Sequence, residues 1–153
     1  LTKEKQLHKN VKIEISNRLG NIRSEKAVEP LIEQLQKETD KDVKTAIVNA
    51  LASIKSDKAV EPLIEQLQKD GTNKEIKIAI VNALSIIRNE KAIEPLIEQL
   101  KKETDNNVNI VIINTLALIK SDKAVEPLIE QLQKEVNKEV KIAIVNALSN
   151  IRN

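Results

Sequence analysis
The chain of 153 residues has no cysteine, methionine, phenylalanine, tyrosine or tryptophan, one histidine and two glycines. Each absence closes a class of chemistry. Without cysteine there is no disulfide framework and no thiolate site, which fits a reducing compartment and gives a cytoplasmic location as the expectation. Without aromatic rings, nucleic-acid binding has no stacking platform. Gly20 and Gly71 alone cannot build a glycine-rich phosphate loop. His8 has no cysteine or second histidine to complete a metal site and reads as an exposed helical residue. No apolar run approaches the roughly 18 residues that a transmembrane helix needs. Charge of one sign is also lacking: 25 Lys plus Arg face 23 Asp plus Glu, so the net charge of +2 draws the molecule to neither nucleic acid nor an anionic membrane. The expectation is therefore no metal, no cofactor, no nucleic acid and no membrane. The chain begins at Leu1, which leaves open an upstream segment with a targeting signal.

What remains is repetition. AVEPLIEQLQK stands at 27–37, 59–69 and 124–134, with AIEPLIEQLKK at 92–102. Pro30, Pro62, Pro95 and Pro127 are spaced 32, 33 and 32 residues apart, a fixed period of the kind that marks a solenoid. Between these copies runs a second block at 43–54, 76–87, 108–119 and 140–151, with a weaker version at 11–22. In this block Val43, Ala46, Ile47, Ala50, Leu51 and Ile54 share one helical face, and it is named helix A. In the proline block Ala59, Val60, Leu63, Ile64 and Leu67 do the same, and it is named helix B. A helical pair cannot bury its stripe alone, so the pairs stack and the core is built from Ile, Val, Leu and Ala. The fold expected is an all-α, right-handed solenoid in one domain over 1–153, with units near 10–38, 39–70, 71–103 and 104–135 and a final helix over 136–153.

Boundary signals support this division. Thr72-Asn73-Lys74-Glu75 reads as a capping box, and Ser24, Ser56, Asn89 and Ser121 are placed to cap helix B. Gly71 is the insertion that lengthens the middle period. Each proline falls several residues after its cap, which predicts a kink or a short 3₁₀ turn before the main helix.

The alternating pattern of a D/E-V-K-x-A-x-V-N-A-L-x-x-I helix and S-D-K-A-V-E-P-L-I-E-Q-L resembles the HEAT-like repeats of the phycobilisome-lyase type, from about Asn10 onward. Members of that type include bilin lyases, iron-binding hydroxylases, adaptors and artificial binding scaffolds, so the resemblance is specific for fold and poor for function. It implies helix B on the concave surface and helix A on the convex one. The hydroxylases hold two irons with repeated His-Glu pairs; here His8 is followed by Lys9, which excludes that branch. Ala52, Ser85, Ala117 and Ser149 stand where the family often has glycine, and only Gly20 keeps it.

Two surfaces are candidates for binding. On helix B, Lys58, Glu61, Glu65 and Lys69 form an outward stripe, and copying it lays Glu29, Glu33, Glu61, Glu65, Glu94, Glu98, Glu126 and Glu130 across one face. This ladder suits a basic peptide or helix; the plainer reading is a solvated face. On helix A, Ile13, Thr45, Ile78, Ile110 and Ile142 stand opposite the core, followed three residues later by Ser16, Val48, Val81, Ile113 and Val145. Exposed together, Ile78, Val81, Ile110, Ile113, Ile142 and Val145 would form an apolar band for self-association, a homo-oligomer through the A faces; coverage by neighbouring helices is the plainer reading. Asn17, Asn49, Asn82, Asn114 and Asn146 occupy one position of all five A helices, and mid-helix asparagine predicts hydrogen bonds to neighbouring repeats.

Polar residues here repeat instead of standing apart from their copies, as a catalytic group would. The function expected is a non-catalytic protein-binding scaffold or adaptor whose partner is another protein. The alternatives are an accessory part of a bilin-lyase-like enzyme and an idealised repeat protein without a natural ligand.

Overall fold
The computed structural model describes residues 2–152, and these hold nine α-helices, four single 3₁₀ turns and no strand. The A helices are α1 (Lys3–Ile22), α3 (Lys41–Ile54), α5 (Lys74–Ile87), α7 (Asn106–Ile119) and α9 (Lys138–Arg152). The B helices are α2 (Val28–Lys37), α4 (Val60–Gln68), α6 (Ile93–Lys102) and α8 (Val125–Lys134). The arrangement is a helical solenoid.

Caps fix where each helix begins. Asp40 accepts from the Asp42 and Val43 N–H groups, and Asp105 does the same for Asn107 and Val108, so two orphan donors at each N-terminus are satisfied. Before α5 the cap is Asn73, which accepts from Ile76 N; Thr72, the cap expected from the sequence, instead donates its hydroxyl to the carbonyls of Gln66 and Lys69. The insertion at Gly71 (φ 79°) turns the chain so that Thr72 faces back onto α4. Ser24, Ser56, Asn89 and Ser121 each cap a 3₁₀ turn that leads into the B helix. The turn solves the proline problem. Because the α-helix proper starts at Val28, Val60, Ile93 or Val125, each proline lies in its first turn, where the missing N–H has no partner to lose.

The A helices pack directly on one another in the order α1, α3, α5, α7, α9. Each B helix lies most closely against the A helix that follows it, α2 on α3, α4 on α5, α6 on α7 and α8 on α9. The tight unit is thus B then A, a phase opposite to the A-then-B division expected from the sequence. Helix α1 precedes the first such unit, and it begins at Lys3, about two turns before the recognisable repeat.

The core runs the length of the stack. Leu51, Leu84 and Leu116 from the A helices meet Leu35, Leu63, Leu67 and Leu96 from the B helices, all at 1% exposure or less. Each such side chain contributes about 1.5–3 kcal/mol by leaving water, which is how aliphatics alone hold the fold. Small residues let the A helices approach: a Cβ on Gly20 would lie 2.9 Å from the Ala50 Cα.

Candidate functional site
The eight carboxylates of the B ladder, Glu29, Glu33, Glu61, Glu65, Glu94, Glu98, Glu126 and Glu130, are all exposed. Helical spacing of Val60, Leu63 and Leu67 toward the core leaves these positions pointing outward. The structure gathers only some of them. A groove of about 660 Å³ between α4 and α6 is lined by Glu61, Glu65, Glu90 and Glu94, with Lys91 and Lys123 at its sides and Ile64 and Pro95 in its lining. Lys91 Nζ lies 3.9 Å from Glu61 Oε1, a loose and exposed pair of the kind worth little to stability. Glu90 was not among the residues singled out from the sequence; its signal is the acidic residue directly after the Asn89 cap. Glu98, and the ladder carboxylates of α2 and α8, do not line this groove.

Three further glutamates have a different job. Glu38 Oε2 accepts from Gln34 Nε2 at 3.1 Å and Lys12 Nζ at 3.2 Å, while its Oε1 accepts from the N–H groups of Thr39 and Asp40. Glu103 repeats this with Gln99, Lys77, Thr104 and Asp105, and Glu135 with Gln131, Val136 and Asn137. Each clamps the loop that carries a B helix into the next A helix. Burial alone would push Glu38 and Glu103 up, but the backbone N–H donors, the glutamine amides and the ammonium of Lys12 or Lys77 hold both below the ordinary glutamate value. The readable signal is Gln-x-x-x-Glu at the end of a B helix, broken only where Asp70 and Gly71 follow Gln66.

The apolar band expected across the A helices is not continuous. Val81 and Ile113 are 0% exposed, and Ile78 and Ile110 are half-buried; only Ile142 (51%) and Val145 (52%) lie open. The reason is the tight A-to-A packing: the Thr115 hydroxyl of α7 approaches the Val81 carbonyl of α5 at 3.4 Å, so that residue is sandwiched between successive A helices. Ile142 and Val145 escape because, among the described residues, no A helix packs on the far side of α9. At the other end α1 exposes Val11, Ile15 and Ile22, but Glu14 and Arg18, which stand where α3, α5 and α9 have alanine, pair at 2.7 Å.

The asparagine expectation is overturned. Asn17, Asn49, Asn82, Asn114 and Asn146 are all exposed, and none of their side chains makes a hydrogen bond among the described residues. A row not expected from the sequence closes α1, α3, α5 and α7: Arg23, Lys55, Arg88 and Lys120 adopt left-handed φ between 55° and 60°. An L-residue there costs on the order of 1 kcal/mol relative to glycine, partly offset because a cation suits the negative end of the helix dipole.

His8 is exposed on α1, and no group of three His, Cys, Asp or Glu among the described residues could hold a metal ion. No described helix is long and apolar enough to cross a membrane. No curated protein matches the chain significantly. A family model described as HEAT repeats matches residues 4–85, 28–109 and 93–153, spans that overlap along the stack of alternating helices. Match and architecture agree over almost the whole length, and the chain belongs to the HEAT repeats.

Proposed function
We propose that the protein is a non-catalytic scaffold that holds a basic peptide or helix on the acidic face of its B helices. HEAT repeats commonly mediate protein interactions, and within them the period of 32 or 33 residues and the shared AVEPLIEQL helix favour the phycobilisome-lyase type, whose adaptor members this reading follows. The observation that carries the proposal is the groove between α4 and α6, where four carboxylates outnumber two lysines and share the lining with Ile64 and Pro95. A cationic amphipathic segment would place its ammonium groups on Glu61, Glu65, Glu90 and Glu94 and its apolar face on Ile64. Repeated weak contacts along successive B helices add by multivalency, which replaces the aromatic anchors that this chain lacks.

The test is anisotropy titration with a fluorescein-labelled, leucine- and lysine-rich helical peptide. Saturable binding that weakens by about tenfold or more between low and high salt is expected, with a similar loss on Glu61→Gln/Glu65→Gln/Glu94→Gln. Binding unchanged by the triple substitution would overturn the assignment to this groove.

A further inference from the structure
The outer face of the A helices carries a chemistry opposite to that of the B face. Three sets of residues recur on it from helix to helix. The asparagines form the first, and their amides are exposed and unbonded. One turn further along α5 and α7 the residues are apolar, and Ile86 and Leu118 are both 46% exposed. The third row is the basic residue that closes α1, α3, α5 and α7. Lys55, Ser85, Ile86, Arg88 and Leu118 together line a trough of about 500 Å³ that spans α3, α5 and α7, and no carboxylate lines it. Lys55 and Arg88 form no ion pair among the described residues; Arg88 spends one N–H on the Ser85 carbonyl at 3.4 Å.

These rows specify an occupant. A primary amide offers one acceptor and two donors, the complement of a peptide group. The interior peptide groups of a bound α-helix are already satisfied, so the main chain that a row of amides can bond along its length is an extended one. Packed helices lie about 8–10 Å apart, and a polyproline II segment repeats every three residues over roughly 9 Å with its peptide groups free. Its side chains at every third position would therefore keep step with successive A helices, whereas the two-residue repeat of a β-strand, roughly 7 Å, would drift out of step. The paired cations and the lack of carboxylates select negative charge.

We propose that this face, centred on α5 and α7, binds an acidic polypeptide segment in the polyproline II conformation. Its main chain lies on Asn82 and Asn114, an aliphatic side chain seats between Ile86 and Leu118, and its carboxylates meet Lys55 and Arg88. The surface is independent of the acidic groove on the B helices, and either can fail without the other.

The probe is a fluorescein-labelled peptide of repeating Leu-Pro-Glu, titrated by anisotropy, with repeating Leu-Pro-Lys as its charge-inverted control. Saturable binding of the acidic peptide is expected, weakened by about tenfold or more both by Lys55→Gln/Arg88→Gln and by Asn82→Ala/Asn114→Ala. Glu61→Gln/Glu65→Gln should leave it unchanged. All four positions in the first two variants are exposed, and circular dichroism checks that the helices persist. Amide chemical-shift mapping on the native protein supplies a second reading, with changes expected along α5 and α7. Absence of saturation by about 1 mM, equal affinity for the lysine peptide, shifts confined to the B helices, or an asparagine variant that binds like the native chain would each overturn the proposal.

Discussion
A Cβ built on Gly20 would stand 2.9 Å from the Ala50 Cα, a distance that real Cβ atoms essentially never show, so α1 and α3 meet backbone against backbone at this point. Gly20→Ala should therefore destabilise the protein although it removes glycine from a helix interior. The gain in helix propensity is about 1 kcal/mol, and forcing the two helices apart costs roughly 1–3 kcal/mol. Gly71 gives the contrasting case. A Cβ there meets nothing within 4 Å, so Gly71→Ala should cost only the left-handed strain at φ 79°, about 1 kcal/mol. Thermal melts followed by circular dichroism decide both, and a Gly20→Ala protein that melts higher than the native one would refute the close contact.

Ile113 and Val145 are aliphatic residues at the same position of the repeat, and α7 is followed by a packed A helix whereas, among the described residues, α9 is not. Ile113→Ala should cost about 2–5 kcal/mol, because the side chain is fully buried and leaves a cavity. Val145→Ala should stay within about 0.5 kcal/mol, since the residue is half exposed. Urea titrations of the two variants measure the pair. Similar losses would mean that α9 is covered in solution, and the molar mass from light scattering would then show whether a second copy covers it.

Much of the architecture was legible because repetition multiplies each local signal. Ser56 is a weak cap by itself, but four equivalent caps, four prolines at a constant period and five amphipathic A helices admit one reading. The phase of the unit was not legible: whether α2 belongs with α1 or α3 depends on packing distance, and the periodic string is the same for both. The buried band was misread for a related reason. Val81 lies opposite the hydrophobic stripe, yet it faces a neighbouring A helix, and single-helix periodicity carries no information about lateral neighbours. The acidic ladder was placed correctly on an exposed face, but its concentration into a groove around Glu61, Glu65, Glu90 and Glu94 depends on the spacing between α4 and α6.

The asparagines make a sharper prediction about stability. Their side chains are exposed and without hydrogen bonds, and asparagine is a poorer helix former than alanine. Asn49→Ala, Asn82→Ala and Asn114→Ala should each raise stability by about 0.5 kcal/mol. Distant repeats should add, so the triple variant should melt several degrees higher. A lowered melting temperature would mean that the amides hold the repeats together, contrary to the structure.

The loop clamps set how the fold responds to acid. Glu103 is nearly covered, and burial by itself would raise its pKa; the Lys77 ammonium at 2.8 Å, the Asp105 N–H and the Gln99 amide outweigh that and depress it below the ordinary 4.5. Glu38 behaves alike through Asp40 N–H, Lys12 and Gln34. A carboxyl whose folded pKa lies below its unfolded value binds fewer protons in the folded state. Its contribution is complete above the unfolded value and is lost as the pH falls through the depressed folded one. Stability should therefore be flat near neutrality and decline below about pH 4.5, steepening with further acid. Glu103→Gln should lower the neutral plateau, because the neutral amide cannot pair with Lys77, and should also shallow the acid decline. Urea midpoints measured from pH 7 to pH 3 for the native and Glu103→Gln proteins test this. Parallel curves would show that Glu103 is not held as an ionised clamp, leaving the loop after α6 to be fixed by the Asp105 cap alone.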